Sequence, residues 1–149
     1  MSIAIRSAHK VLNRQVANWT VLFVKLHNFH WNVKGHEFFT LHVKFEELYN
    51  EAANYVDELA ERLLAVGGKP VATMKESLEL SSIKEAAGGE KPDEMVRSLL
   101  GDFETIIGEL KQGIQEADEA KDEGTADMLL GISVALEKHR WMLSSFAKN

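Results

Sequence analysis

The 149-residue chain contains no cysteine. That absence removes disulfides, thiolate zinc sites, cysteine-ligated iron–sulfur clusters and cysteine nucleophiles together, so any metal must be held by His, Asp or Glu. Long apolar runs are missing too: the strongly apolar stretches are as short as Val21 to Val24, far below a membrane span. Arg6 falls where a secretory leader would need its apolar region. A soluble, cytoplasmic protein with no membrane partner is expected. Basic residues are in the minority, 17 Lys and Arg against 23 Asp and Glu, and the net charge of −6 works against gripping a phosphate backbone. Prolines number two, and neither a period-two alternation nor an internal repeat is present. With 45% hydrophobic residues against 27% charged, the chain has what it needs to bury a core. Residues 1–149 are expected to form a single domain with no separate tail domain.

What is there is helical spacing. From about Ser7 to Val33, Leu12, Val16, Trp19, Phe23, Leu26, His30 and Val33 fall on one stripe, and Gly35 supplies a stop. From about Phe38 to Val66, Leu41, Phe45, Leu48, Ala52, Val56, Leu59 and Leu63 do the same, ended by Gly67, Gly68 and Pro70. A weaker stretch to Lys91 has room for one short helix around Lys75 to Leu80 and is long enough to cross the bundle from end to end. Pro92 suits a first helical turn. A third long helix then carries Val96, Leu99, Phe103, Ile106, Leu110 and Ile114, and a fourth carries Leu129, Ile132, Leu136, His139, Leu143 and Phe146. Two short turns and one long crossover describe an all-α, ferritin-like four-helix bundle with a short extra helix in the crossover.

Charge is uneven: residues 1–36 hold five bases and no acid. Acids gather later, at Glu116, Asp118, Glu119, Asp122, Glu123 and Asp127 around Lys121, with Asp127 expected in the first turn of the last helix, where a carboxylate suits the dipole.

The second helix holds two pairs at i, i+4 spacing, His42 with Glu46 and Asp57 with Glu61. All four lie in a strip roughly 100° wide, offset by one residue from the core stripe. His42 and Asp57 are about 22 Å apart along the axis, while metal bonds to nitrogen or oxygen are about 2.0 to 2.2 Å long. One helix cannot close that gap, but an antiparallel copy can. The numbers of His42 and Glu61, and of Glu46 and Asp57, add to the same total, 103, so a twofold crossing near Glu51 and Ala52 sets each pair opposite its complement. His30 is a further candidate ligand, because the turn through Gly35 folds the first helix back along the second. The competing reading is that these charges merely solvate a long surface helix. No Glu-x-x-His occurs, which disfavours a conventional di-iron site inside one chain.

The strings His27-Asn28-Phe29-His30-Trp31, Gly35-His36, Phe38-Phe39-Thr40-Leu41-His42, Asp57-Glu58-Leu59-Ala60-Glu61-Arg62 and the late Lys138-His139-Arg140-Trp141-Met142 together resemble the Dps family of miniature ferritins over nearly the whole chain. The resemblance implies a hollow homododecamer that oxidises ferrous iron, preferably with hydrogen peroxide, and stores ferric mineral. Two iron sites at each twofold interface would take His30, His42 and Glu46 from one subunit and Asp57 and Glu61 from its mate. Glu46 is a departure, since the family often has Asp there; charge and donor atoms are kept and one methylene is added. Trp31 is implied to lie near the iron as a redox aromatic, or else it and Trp141 are packing aromatics, a status Tyr49 shares. His139 reads as a core histidine, while His27 and His36 cannot be assigned from spacing. Asp118, Asp122 and Asp127 are candidates for pores that draw cations inward, or are simply solvated.

Three functions compete. An iron-oxidising shell leads. A DNA-covering protein is opposed by the charge and by the lack of a lysine-rich tail, since only Arg6 and Lys10 precede the first helix and the chain ends Ala147-Lys148-Asn149; DNA binding is expected to be weak or absent. A plain helical interaction module would bind no metal.

Overall fold

The computed structural model describes residues 1–147, so the ending Lys148-Asn149 that enters the tail argument lies outside the described residues. Five helices follow one another: α1 (Ile3–Asn32), α2 (Phe38–Ala65), α3 (Met74–Leu80), α4 (Pro92–Glu119) and α5 (Glu123–Ala147). Helices α1 and α2 form one antiparallel hairpin, α4 and α5 another, and α1 packs on α4 to join them, with α3 lying against α1. No strand is present among the described residues. The all-α, ferritin-like bundle with an extra crossover helix is therefore the observed architecture.

Capping chemistry decides where the helices begin. The Ser2 hydroxyl accepts from the Ile5 amide, so α1 starts four residues before the expected Ser7 and takes in Arg6 and Lys10, which were expected to precede it. Thr73 caps α3: its hydroxyl accepts from the Glu76 amide at 3.1 Å and donates to the Glu76 carboxylate, which also accepts from the Ala72 amide. At the start of α4 the Glu94 carboxylate accepts from the Lys91 amide at 3.0 Å, beside Pro92. The α4–α5 turn passes through Lys121 at φ +58°, and Asp122 caps the next helix by accepting from the Thr125 amide and hydroxyl. Helix α5 thus begins at Glu123, and Asp127 lies beyond its first turn, correcting the expected placement; Glu123 is the acid that meets the dipole there.

The expected apolar stripes face inward. Leu12, Val16, Trp19 and Leu26 of α1 meet Phe45, Leu48, Leu59 and Leu63 of α2 and Val96, Leu99, Phe103 and Leu110 of α4, all buried. Phe23, Val56 and Ile114 are only partly buried, and Phe146 is at the exposed margin.

Two polar features sit inside. Gln15 and Asn18 both donate to Glu109 at 2.8 Å, while Ser82 donates from its amide to Asn18 and from its hydroxyl to the other Glu109 oxygen, so the crossover is tied to α1 and α4. Lys25, 4% exposed, pairs with Asp102 at 2.7 Å. Burial pushes the Asp102 carboxyl above its ordinary value, and Lys25 opposes that rise.

Candidate metal centre

The tight reversal after α1 lays its last turn against the first turn of α2, and this brings His30 and His42 face to face. His30 Nδ1 lies 2.6 Å from the His42 carbonyl, and His42 Nδ1 lies 2.7 Å from the His30 carbonyl. The last carbonyls of a helix have no partner within it, so His42 satisfies one of the groups that α1 leaves open. A carbonyl only accepts, which makes both Nδ1 atoms the proton carriers and leaves a lone pair on each Nε2. The rings stack 3.7 Å apart at 13°, with Phe38 stacked on His42 at 4.8 Å, and His30 is only 6% exposed. A histidine whose other ring nitrogen is tied to a carbonyl is how proteins orient an imidazole for a metal.

One turn further along α2, Glu46 brings a carboxylate oxygen to 3.9 Å from His30 Nε2. Tyr49, one turn beyond, stands edge-on to His30 at 5.3 Å and stacks on His27 at 3.7 Å. Its phenol is pushed above its ordinary value, first by its half-buried position and then by the Glu46 carboxylate. His27 donates from Nδ1 to the Phe23 carbonyl at 2.7 Å and lies 5.2 Å from Trp31. Trp31 is 70% exposed and Trp141 is also largely exposed, so neither is packed inside the bundle.

Asp57 and Glu61 are exposed on the same outward strip of α2, beyond the reach of the imidazoles. The structure thus brings His30, His42 and Glu46 to one end of the strip and leaves the two other carboxylates at its far end. Among the described residues, no three His, Asp or Glu of a single chain stand close enough to hold a metal ion. His139, buried on α5, has Nε2 2.6 Å from a Glu51 oxygen while its Nδ1 has no partner, so it is a core histidine paired on one side only. His36 is exposed in the α1–α2 turn.

The three carboxylates considered for a pore differ from one another. Asp118 and Asp127 are exposed. Asp122 is engaged by Arg62 at 2.7 Å and by Thr125; burial raises its carboxyl, but these hydrogen bonds outweigh it and hold the group below its ordinary value.

A ferritin-like domain model matches residues 9–149. General stress protein 20U of Bacillus subtilis is 63% identical over 137 residues, covering 92% of this chain and 94% of that protein. DNA protection during starvation protein 2 of Bacillus anthracis is 62% identical over the same length, with the same coverage. The crystal structure of a Dps protein from Bacillus brevis superposes with a TM-score of 0.98 at 58% identity, covering 99% of each chain. The chain belongs to the Dps family of ferritin-like proteins. In this Dps chain, spacing pointed to the ligand candidates but not to the roles of Tyr49 and His27. A signal did exist: His27 precedes His30 by three residues and Tyr49 follows Glu46 by three, the separation that puts side chains on one helix face.

Proposed function

We propose that this protein is a ferroxidase and iron store: a homododecamer that oxidises Fe(II), preferably with hydrogen peroxide, at sites shared across twofold interfaces, and holds the ferric product inside. The observation that carries this reading is the mutual His30–His42 clasp. It leaves a lone pair on each Nε2, that of His30 3.9 Å from a Glu46 oxygen, giving half a ligand set that a single chain does not complete. Asp57 and Glu61 of a twofold mate supply the other half. Imidazole and carboxylate ligands with open positions suit Fe(II). In the reaction each of two Fe(II) ions gives up one electron, one peroxide takes both, and its O–O bond breaks; hydrolysis of the ferric product then releases protons. Glu46 sets metal spacing through its longer arm, and Trp31 and Tyr49 lie where they can intercept a stray oxidising equivalent. Asp118 and Asp127 line the entry for cations, while Asp122 holds the turn.

The setting is cytoplasmic. No described helix is long and apolar enough to cross a membrane. The relative from Bacillus anthracis carries DNA protection in its name, which favours physical cover of DNA as a second reading. A net charge of −6 opposes it, and DNA binding here is weak or absent.

Anaerobic loading with Fe(II), followed by peroxide, should give ferric absorbance and proton release from a particle of about 200 kDa, twelve times 16.7 kDa. His42→Ala and Asp57→Asn should each abolish oxidation, and mixed shells of the two should recover part of it, because one intact site can form from two faulty chains. Verified mixed shells without recovery would overturn the shared site, and a monomer would remove the shell.

A further inference from the structure

Aromatic rings on α1 continue past the metal centre into the bundle. Trp19, Phe23, His27 and Trp31 recur every four residues, so they climb one side of the helix turn by turn and span about 18 Å. This row meets both tyrosines of the chain. Tyr49 lies against its middle, with ring centroids 6.1 Å from Phe23 and 3.7 Å from His27. Tyr55 lies against its inner end, 4.8 Å from Trp19. The two ends of the row differ: Trp31 is exposed, whereas Trp19 is 2% exposed and its indole N–H has no hydrogen-bond partner. Tyr55 is partly buried, with Glu51 and Glu58 about one turn to either side of it. Burial, and then those two carboxylates, push its phenol up to about 12, so it rests fully protonated.

We propose that Trp19 and Tyr55 are a second redox station, to which the aromatic row of α1 delivers an unpaired oxidising equivalent from the metal centre. The source of that equivalent rests on the iron reading above. One Fe(II) alone gives peroxide a single electron, and the O–O bond then breaks into hydroxide and a hydroxyl radical. That radical takes one electron from Trp31 or Tyr49 beside the centre and, with one proton, becomes water. The electron missing there is drawn from Trp19. Phe23 and His27 keep their own electrons, since a phenyl ring and a neutral imidazole are harder to oxidise, and they serve to shorten the gaps. Trp19 does not hold the vacancy: a cationic indole in the core is cut off from water, and its N–H has no acceptor for the proton. Tyr55 fills it instead, passing its electron to Trp19 and its phenolic proton to Glu58, which is exposed and hands it to water. The phenoxyl so formed is neutral and persists until a second Fe(II) returns an electron along the same row and water returns the proton. Two Fe(II) are still oxidised for each peroxide, but the second electron arrives late without the radical escaping.

The chain has two tyrosines, so phenylalanine variants assign the radical. Pulse radiolysis of iron-free protein with the azide radical, which oxidises exposed indoles, starts the vacancy at Trp31 once Trp141→Phe removes the other exposed indole. In Trp141→Phe/Tyr49→Phe protein the indolyl band should decay as a phenoxyl band grows, at a rate independent of protein concentration, and that phenoxyl is Tyr55. Adding Tyr55→Phe should abolish the growth, and adding Trp19→Phe, which keeps a ring in the core, should remove most of it. In a second measurement, protein given one Fe(II) per site and excess peroxide is freeze-quenched for electron paramagnetic resonance. A tyrosyl signal should appear in the parent and in Tyr49→Phe and be lost in Tyr55→Phe. No concentration-independent phenoxyl growth in Trp141→Phe/Tyr49→Phe protein, or unchanged growth with Trp19→Phe, would overturn the relay, as would a tyrosyl signal that survives Tyr55→Phe undiminished. Should Trp19→Phe fail to fold, Tyr55→Phe decides, because it removes only a hydroxyl. A Tyr55 phenoxyl without iron, alongside no ferric absorbance on loading with Fe(II) and peroxide, leaves the relay standing and removes the iron reading; ferric absorbance without a Tyr55 phenoxyl removes the relay alone.

Discussion

The two halves of the proposed ligand set are built differently. His30 and His42 are part of the fold: each imidazole satisfies a backbone carbonyl of the other's helix, the rings stack, and one of them is almost completely buried. Asp57 and Glu61 are exposed carboxylates on a helix surface. The difference follows from the chemistry of the donors. A given imidazole nitrogen is a ligand in only one tautomer and over a narrow range of directions, so it must be fixed before the metal arrives. An ionised carboxylate has two equivalent oxygens and no tautomer to select, so it can be delivered by another chain.

The largest expected effect tests whether both halves are needed. His42→Ala and Asp57→Asn should each lower the initial rate of peroxide-driven Fe(II) oxidation at least about 100-fold, the upper end of what loss of a mere supporting partner costs. A rate kept by Asp57→Asn would leave the imidazole half sufficient and break the comparison. Stability should separate the halves next. His30→Ala removes a buried side chain and leaves the His42 carbonyl without its imidazole donor, which should cost about 1–3 kcal/mol in urea unfolding, whereas Asp57→Asn should stay within about 0.5 kcal/mol of the parent. Equal effects would mean that the imidazoles are no more embedded than the acids. Asp122 offers a third carboxylate case, one absorbed by structure. Its folded pKa is depressed, so it adds stability above the unfolded value of about 3.9, and that contribution is lost as pH falls through the folded value. Asp122→Ala should lower unfolding free energy by about 1 kcal/mol at neutral pH, with the difference from the parent vanishing in acid. The smallest change is expected from Glu46→Asp, which keeps charge and donors: oxidation should persist within about tenfold of the parent, with an altered ferric charge-transfer band reporting the new metal spacing.

The bundle was legible because its stripes are long and regular: Leu41, Phe45, Leu48, Leu59 and Leu63 identify the buried face of α2 without help from anything distant. Helix starts were less legible, because Ser2, Thr73 and Asp122 act through local hydrogen bonds that leave no apolar period. At the site, i, i+4 spacing picked out His42 and Glu46, since both sit on one helix. The clasp with His30 was not readable, because it depends on how far the Gly35 turn slides α1 along α2, a distance set by packing. Nor did spacing foresee the buried polar side chains of α1. Gln15, Asn18 and Lys25 occur on a face that periodicity alone would make apolar, and their partners Glu109 and Asp102 are nearly eighty residues or more away in the chain.

Lys25 has one more consequence. An ammonium group fastened in the heart of the bundle is matched on the spot by the Asp102 carboxylate, so removing either partner would strand the other's charge where little water reaches it. The one acid that α4 turns toward this lysine is thereby taken up within the chain's own framework and stands open to no ion from outside.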